Sequence, residues 1–97
     1  MIPIDVKVFI ARTFNAADQQ AALSILAAAI IQDGSEASPR LIRCATIASG
    51  GSLARLHAEV ARLKVDWRDV IVAGEYESVG GSLSRVRDLN DPITDEA

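Results

Sequence analysis

Two glycine-rich phrases are the segments of this chain best suited to chemistry: Gly50-Gly51-Ser52-Leu53-Ala54-Arg55-Leu56 and, thirty positions on, Gly80-Gly81-Ser82-Leu83-Ser84-Arg85-Val86. A Gly pair followed by Ser and by apolar residues three apart reads as a turn that opens a helix. The free N–H groups and partial positive charge of such a helix start, with an Arg nearby, suit a phosphate or carboxylate. The candidate anion-binding residues are Gly51, Ser52 and Arg55 in the first copy, and Ser82 and Arg85, beside Gly81, in the second. Neither copy has a Gly-Lys-Ser/Thr ending, a preceding buried strand or GxGxxG spacing, so a plain turn-and-cap role is the leading expectation. The flanks do not repeat: Leu41 to Ser49 holds small packing residues where Ile71 to Val79 holds Glu75, Tyr76 and Glu77, which argues against a duplicated domain.

The rest of the inventory is thin. His57 lies beside the apolar seam of its helix, a position more typical of a surface histidine than of a general acid or base. Asp66 and Asp69, three apart, are explained by capping and by the helix dipole. Glu75 and Glu77 point to different faces, Tyr76 with Arg85 and Arg87 could line a pocket, and Trp67 reads as a core anchor. With one Cys44 and one His57 there is neither an internal disulfide nor a structural zinc set, and Cys44 reads as a buried packing residue. No catalytic, cofactor-binding or metal-binding residue is assigned, and no cofactor is expected.

Composition sets the frame for these residues. The chain has 97 residues, 49% of them apolar but only four aromatic, so Ala, Leu, Ile and Val must fill one core. Residues 1–90 are expected to form one helical domain and 91–97 an acidic, frayed tail. The longest nearly apolar run, Ala21 to Ile31, falls short of the roughly 20 residues that span a bilayer, and the start lacks a basic leader, so a soluble cytoplasmic protein is expected. Eight Arg against two Lys, with abundant Ala, suggests a GC-rich bacterial genome. The net charge of −3 is unevenly spread: two basic and four acidic residues in 1–39, six and two in 40–68, two and seven in 69–97. The simplest expectation is that the ends neutralise the middle, within one chain or across a dimer.

The elements follow from periodicity and punctuation. Ile4 to Phe14 fits an amphipathic helix, with a strand over Ile4 to Ile10 as the alternative because Ile2, Ile4, Val6, Val8 and Ile10 also alternate. Asn15 caps a helix from Ala16 to about Gln32 that is apolar nearly all round and must be covered all round; Leu23, Leu26, Ala27, Ile30 and Ile31 are its candidate self-association surface. Ser38 and Pro39 start a third helix with a stripe of Leu41, Cys44, Ala45 and Ala48. Ser52 opens a fourth, with a seam of Leu53, Leu56, Val60 and Leu63 and with Glu59 near Arg55 and Arg62. Asp66 caps a fifth, where Gly74 marks a close helix contact; a strand over Val70 to Val72 is the runner-up. Ser82 opens a short last helix bearing Leu83, Val86 and Leu89.

The expected fold is therefore all-α, a largely antiparallel bundle of four to five short helices, the alternative being α+β with the N-terminal strand. The expected function is a non-catalytic interaction or regulatory module that binds a protein partner and forms a homodimer. The alternative is binding of an anionic ligand or nucleic acid through the basic segment 40–68. In that case Leu41 to Leu63 would be a helix-turn-helix with Arg55, His57 and Arg62 facing the groove. The net acidity weighs against it.

Overall fold

Two helices that meet through small residues form the centre of the molecule. The computed structural model describes residues 2–93 and places, in order, α1 (Ile4–Thr13), α2 (Ala16–Ala27), α3 (Pro39–Ser49), α4 (Leu53–Glu75), β1 (Tyr76–Val79) and β2 (Ser82–Arg85). The fold is a helical domain with a minor antiparallel two-stranded sheet. At the α3–α4 contact, a Cβ on Gly74 would lie 2.6 Å from the Cys44 Cα, so only glycine allows this approach. The close contact expected at Gly74 is present.

α3 is set by its ends. Ser38 Oγ accepts from the Leu41 N–H, Pro39 takes the first turn, and Gly50 closes the helix in the left-handed region at φ 58°. Leu41, Ile42, Cys44, Ala45, Thr46 and Ser49 are buried on it. Its two buried hydroxyls bond back to the helix itself, Thr46 to the Ile42 carbonyl and Ser49 to the Thr46 carbonyl.

α4 begins at Ser52, whose Oγ accepts from the Arg55 N–H, and buries Leu56, Val60 and Leu63 as the 3-4-3 spacing requires. At Asp66 the backbone leaves helical geometry (φ −155°, ψ 102°) and the carboxylate accepts from the Arg68 N–H. Asp66 is thus the expected cap, inside what is otherwise one long kinked helix. Beyond it, Val70, Gly74 and Glu75 are buried.

α1 is a helix and not a strand. It presents Val6 and Ile10, four apart, to the core, while Ile4 and Val8 stay exposed. α2 ends at Ala27, five residues before the expected Gln32. Past it, Ala29 and Ala37 pair through their backbones, Ile30 bridges Glu36, and Asp33 Oδ1 accepts from the Ser35 N–H to turn the chain. β-branched Ile30 and Ile31 ahead of Asp33-Gly34 favour this turn over two more helical residues. Asn15 stands at the N-cap of α2 but makes no side-chain cap bond. Nor is α2 covered all round: Ala22 and Leu26, with Ala29 just after the helix, are its buried stripe, and Ala27 faces outward.

The second glycine phrase is also a correction. Gly80 and Gly81 form a two-residue hairpin loop, with Val79 paired to Ser82 and Tyr76 to Arg85, so Ser82 begins a strand and not a helix. Both glycines have positive φ, 58° and 85°, as the tight hairpin turn demands. Gly50 and Gly51 adopt nearly the same angles, 58° and 82°, yet lead into α4. The residues downstream of each pair decide between strand and helix. The seam after Ser52 runs on to Leu63 and buries, whereas Pro92 stops any helix begun at Ser82 after less than three turns.

Candidate functional site

The densest polar arrangement is built around a carboxylate to which local sequence pattern assigns no role. Glu75, the last residue of α4, is fully buried (0% exposed). Arg40 of α3 grips it bidentately, Nε to Oε2 and Nη2 to Oε1, both at 2.8 Å. From β2, Arg85 donates Nε to Oε1 at 3.1 Å, and the Leu89 N–H donates to Oε2 at 3.1 Å. The Cys44 thiol donates to Oε2 at 3.8 Å. Arg40 above all, and the other donors with it, hold the Glu75 carboxyl down at about 2 against the opposing effect of burial. Burial, and then the Glu75 charge, push the Cys44 thiol up to about 12, far from a nucleophilic thiolate.

A second carboxylate repeats the plan. Asp5 of α1 takes both Nε and Nη2 of Arg43 at 2.9 and 3.1 Å and accepts from the Ile93 N–H at 2.9 Å. Partial burial would raise its pKa, but the Arg43 and Ile93 bonds bring it below the ordinary value. Arg43 Nη1 also reaches the Leu89 and Asn90 carbonyls. Glu75 and Asp5 therefore fasten residues 86–93 along the helices, with Leu89 as the buried plug. Residues 91–93 are part of this strap; the remainder of the expected frayed tail, 94–97, lies outside the described residues.

The two glycine phrases are not brought into one site. At the first, the Ser52 side chain is occupied by the Arg55 N–H, Arg55 is exposed, and Gly51 packs so closely on α1 that a Cβ would sit 2.6 Å from the Thr13 carbonyl oxygen. At the second, Gly81 and Ser82 are exposed on the hairpin, and Arg85 turns inward to Glu75 and to Asp88 at 3.0 Å. The anion that Arg85 holds is the chain's own. Arg87 is likewise engaged, with the Gly74 carbonyl and Glu77. Of the other residues weighed, His57 is exposed, and Arg62 pairs with Glu59 at 3.2 Å.

Trp67 departs from expectation: it is 36% exposed, not a core anchor. Just past the Asp66 break, it walls a groove of about 320 Å³ with Ile31, Leu41 and Ile71, edged by Arg40 and Glu36. The kink turns α4 so that Val70 takes the buried place and Trp67 the surface one. Of the candidate self-association residues, Ile31 lines this groove, Leu23 and Ile30 are half-buried, Ala27 is exposed, and Leu26 is buried in the chain's own core.

Among the described residues, no group of three or more His, Cys, Asp or Glu is placed to hold a metal ion, and no helix is long and apolar enough to cross a membrane. Every buried side-chain polar atom among them has a partner. Comparison with protein-family models, with curated proteins and with solved structures gives no match.

Proposed function

We propose that this chain is a small, non-catalytic interaction module that pairs with a second copy of itself through the Trp67 groove. The observation that carries the reading is the chain's one Trp standing part-exposed as the wall of an apolar groove, with a guanidinium at the edge. A part-exposed Trp beside an apolar pocket is the residue type that most often dominates binding energy in protein interfaces. Val65 and Val72, on the same stretch of α4, add further exposed apolar surface. Self-association suits a patch of this kind, since a twofold contact needs only a surface that complements itself.

The alternative, an anionic ligand or nucleic acid on segment 40–68, has less to carry it. Four of its six basic residues, Arg40, Arg43, Arg62 and Arg68, are paired with carboxylates of this chain. Such pairing removes the counterion release on which backbone binding depends.

Light scattering at micromolar protein is the test, with Trp67 fluorescence followed through dilution. Pairing predicts a dimer whose Trp emission shifts to longer wavelength as it dissociates, and a monomeric Trp67→Ala variant of unchanged helicity. A wild-type monomer at all concentrations refutes self-association; a dimer that survives Trp67→Ala refutes the groove as its contact.

A further inference from the structure

A second concavity lies on another side of the molecule, between α1, α3 and the strap 86–93. It measures about 720 Å³, within the range of small-molecule sites, and its apolar lining includes Phe9, Ile47, Val86, Pro92 and Ile93. Phe9, Ile47 and Ile93 are only half-buried, so their free surface faces this space.

Three charged residues line it, and two are neutralised locally. Arg87 is bound to Glu77 and the Gly74 carbonyl, and Asp88 to Arg85 and the Asn90 N–H. Asp91 is the third; its side chain makes no hydrogen bond or ion pair within the described residues, which leaves one uncompensated negative charge at the edge of an apolar cleft. Along the sequence, every charged residue after Arg87 is acidic: Asp88, Asp91, Asp95 and Glu96.

We propose that this cleft binds a small organic ammonium ion, an aryl- or alkylamine whose apolar body lies on Phe9, Ile47 and Ile93 and whose cationic head is held at Asp91. The apolar surface supplies most of the affinity and the carboxylate selects the charge, which disfavours fatty acids and other apolar anions.

The experiment is an NMR titration of the whole chain with phenethylammonium, 2-phenylethanol and 3-phenylpropionate, repeated on Asp91→Asn. Asp91 is exposed and its side chain unbonded, so the variant retains the fold, as its amide spectrum will show. Saturable shifts at Phe9, Ile47, Val86 and Asp91 are expected with the ammonium, at about threefold or greater preference over the alcohol, as befits one exposed charge pair, and weakest binding of the carboxylate. Asp91→Asn should abolish the preference of ammonium over alcohol while leaving the alcohol's affinity unchanged. The proposal is overturned by the absence of saturable shifts up to about 10 mM amine, a concentration that reveals even millimolar affinity. It is equally overturned by equal binding of amine and alcohol, or by a preference that survives in Asp91→Asn.

Discussion

Replacing Glu75 by Gln tests the central polar arrangement directly. The variant keeps the shape and removes the charge that Arg40 and Arg85 share. Two routes give the size of the effect. A carboxyl held at about 2 in the folded chain, against an ordinary 4.5, corresponds to about 3 kcal/mol at roughly 1.4 kcal/mol for each pH unit between them. Removing one partner of a buried ion pair costs about 3 to 5 kcal/mol. The lower end applies here, because the Arg40 and Arg85 side chains are 32% and 42% exposed and regain water when released. The expected loss is therefore about 3 kcal/mol, read as a lower urea midpoint at pH 7, and roughly 12 to 24 °C in Tm for a domain of this size. The pH dependence carries a sign. Glu75 has a depressed pKa, so its contribution is complete above about 4.5 and is lost as pH falls toward about 2. Glu75→Gln should flatten the acid limb of the stability curve in that window, leaving the slope due to Asp5 and to the other carboxylates with lowered pKa, Asp33, Glu36, Asp66 and Asp88. A variant within about 1 kcal/mol of wild type, or one with an unchanged acid limb, would refute the reasoning.

The same geometry sets three further outcomes. The paired glycines should differ in cost: Gly81→Ala meets only the strain of positive φ, about 1 kcal/mol, while Gly51→Ala adds the clash with Thr13 and should cost about 2 to 3 kcal/mol in thermal melts. Gly74→Ala gains helix propensity of about 1 kcal/mol but forces α3 and α4 apart at Cys44; a net loss is expected in urea unfolding, and a gain would contradict the close approach. Cys44, buried and with its thiol pushed up to about 12, should resist iodoacetamide at pH 8 in the folded chain and react at once in denaturant.

How much of this was legible in the sequence depended on whether the signal was local. Ser38-Pro39, Ser52 and Asp66 are helix starts whose information lies within four residues, and the structure has each in place. Gly74, a costly residue on an apolar helical face, correctly announced the α3–α4 contact. The hairpin was within reach: a Gly pair separates two four-residue runs, Tyr76–Val79 and Ser82–Arg85, a spacing that specifies a two-residue turn as readily as a helix start. The likeness to the first phrase points to a helix, whereas Pro92, which ends any helix begun at Ser82 within three turns, points to the strand. Glu75 could not be read in this way. Its partners Arg40 and Arg85 lie 35 and 10 positions away, and nothing in a local window shows that a carboxylate at the end of a helix will meet two guanidinium groups and a backbone N–H.

The charge division along the chain nonetheless foretold that network in outline, and it bears on what the surface is for. An excess of base in residues 40–68 between acidic ends could serve an external polyanion or the chain itself. Asp5 from the first segment meets Arg43, and Glu75 from the last meets Arg40, so both ends fold onto the middle and these two guanidinium groups are neutralised internally. Breaking pairs of this kind is costly, because it leaves a buried carboxylate without its partner. Here they select the course of a strap with little regular structure, from Val86 to Ile93, that secondary structure alone would leave free. Exposed apolar side chains accompany this internal pairing: Ile4 and Val8 on α1, Val65, Trp67 and Val72 on α4, and Val79 and Leu83 on the hairpin, the last two 57% and 65% exposed. With four of the six basic residues of 40–68 held by the chain's own carboxylates, the proposed contact with another protein has more to draw on than the binding of a polyanion has.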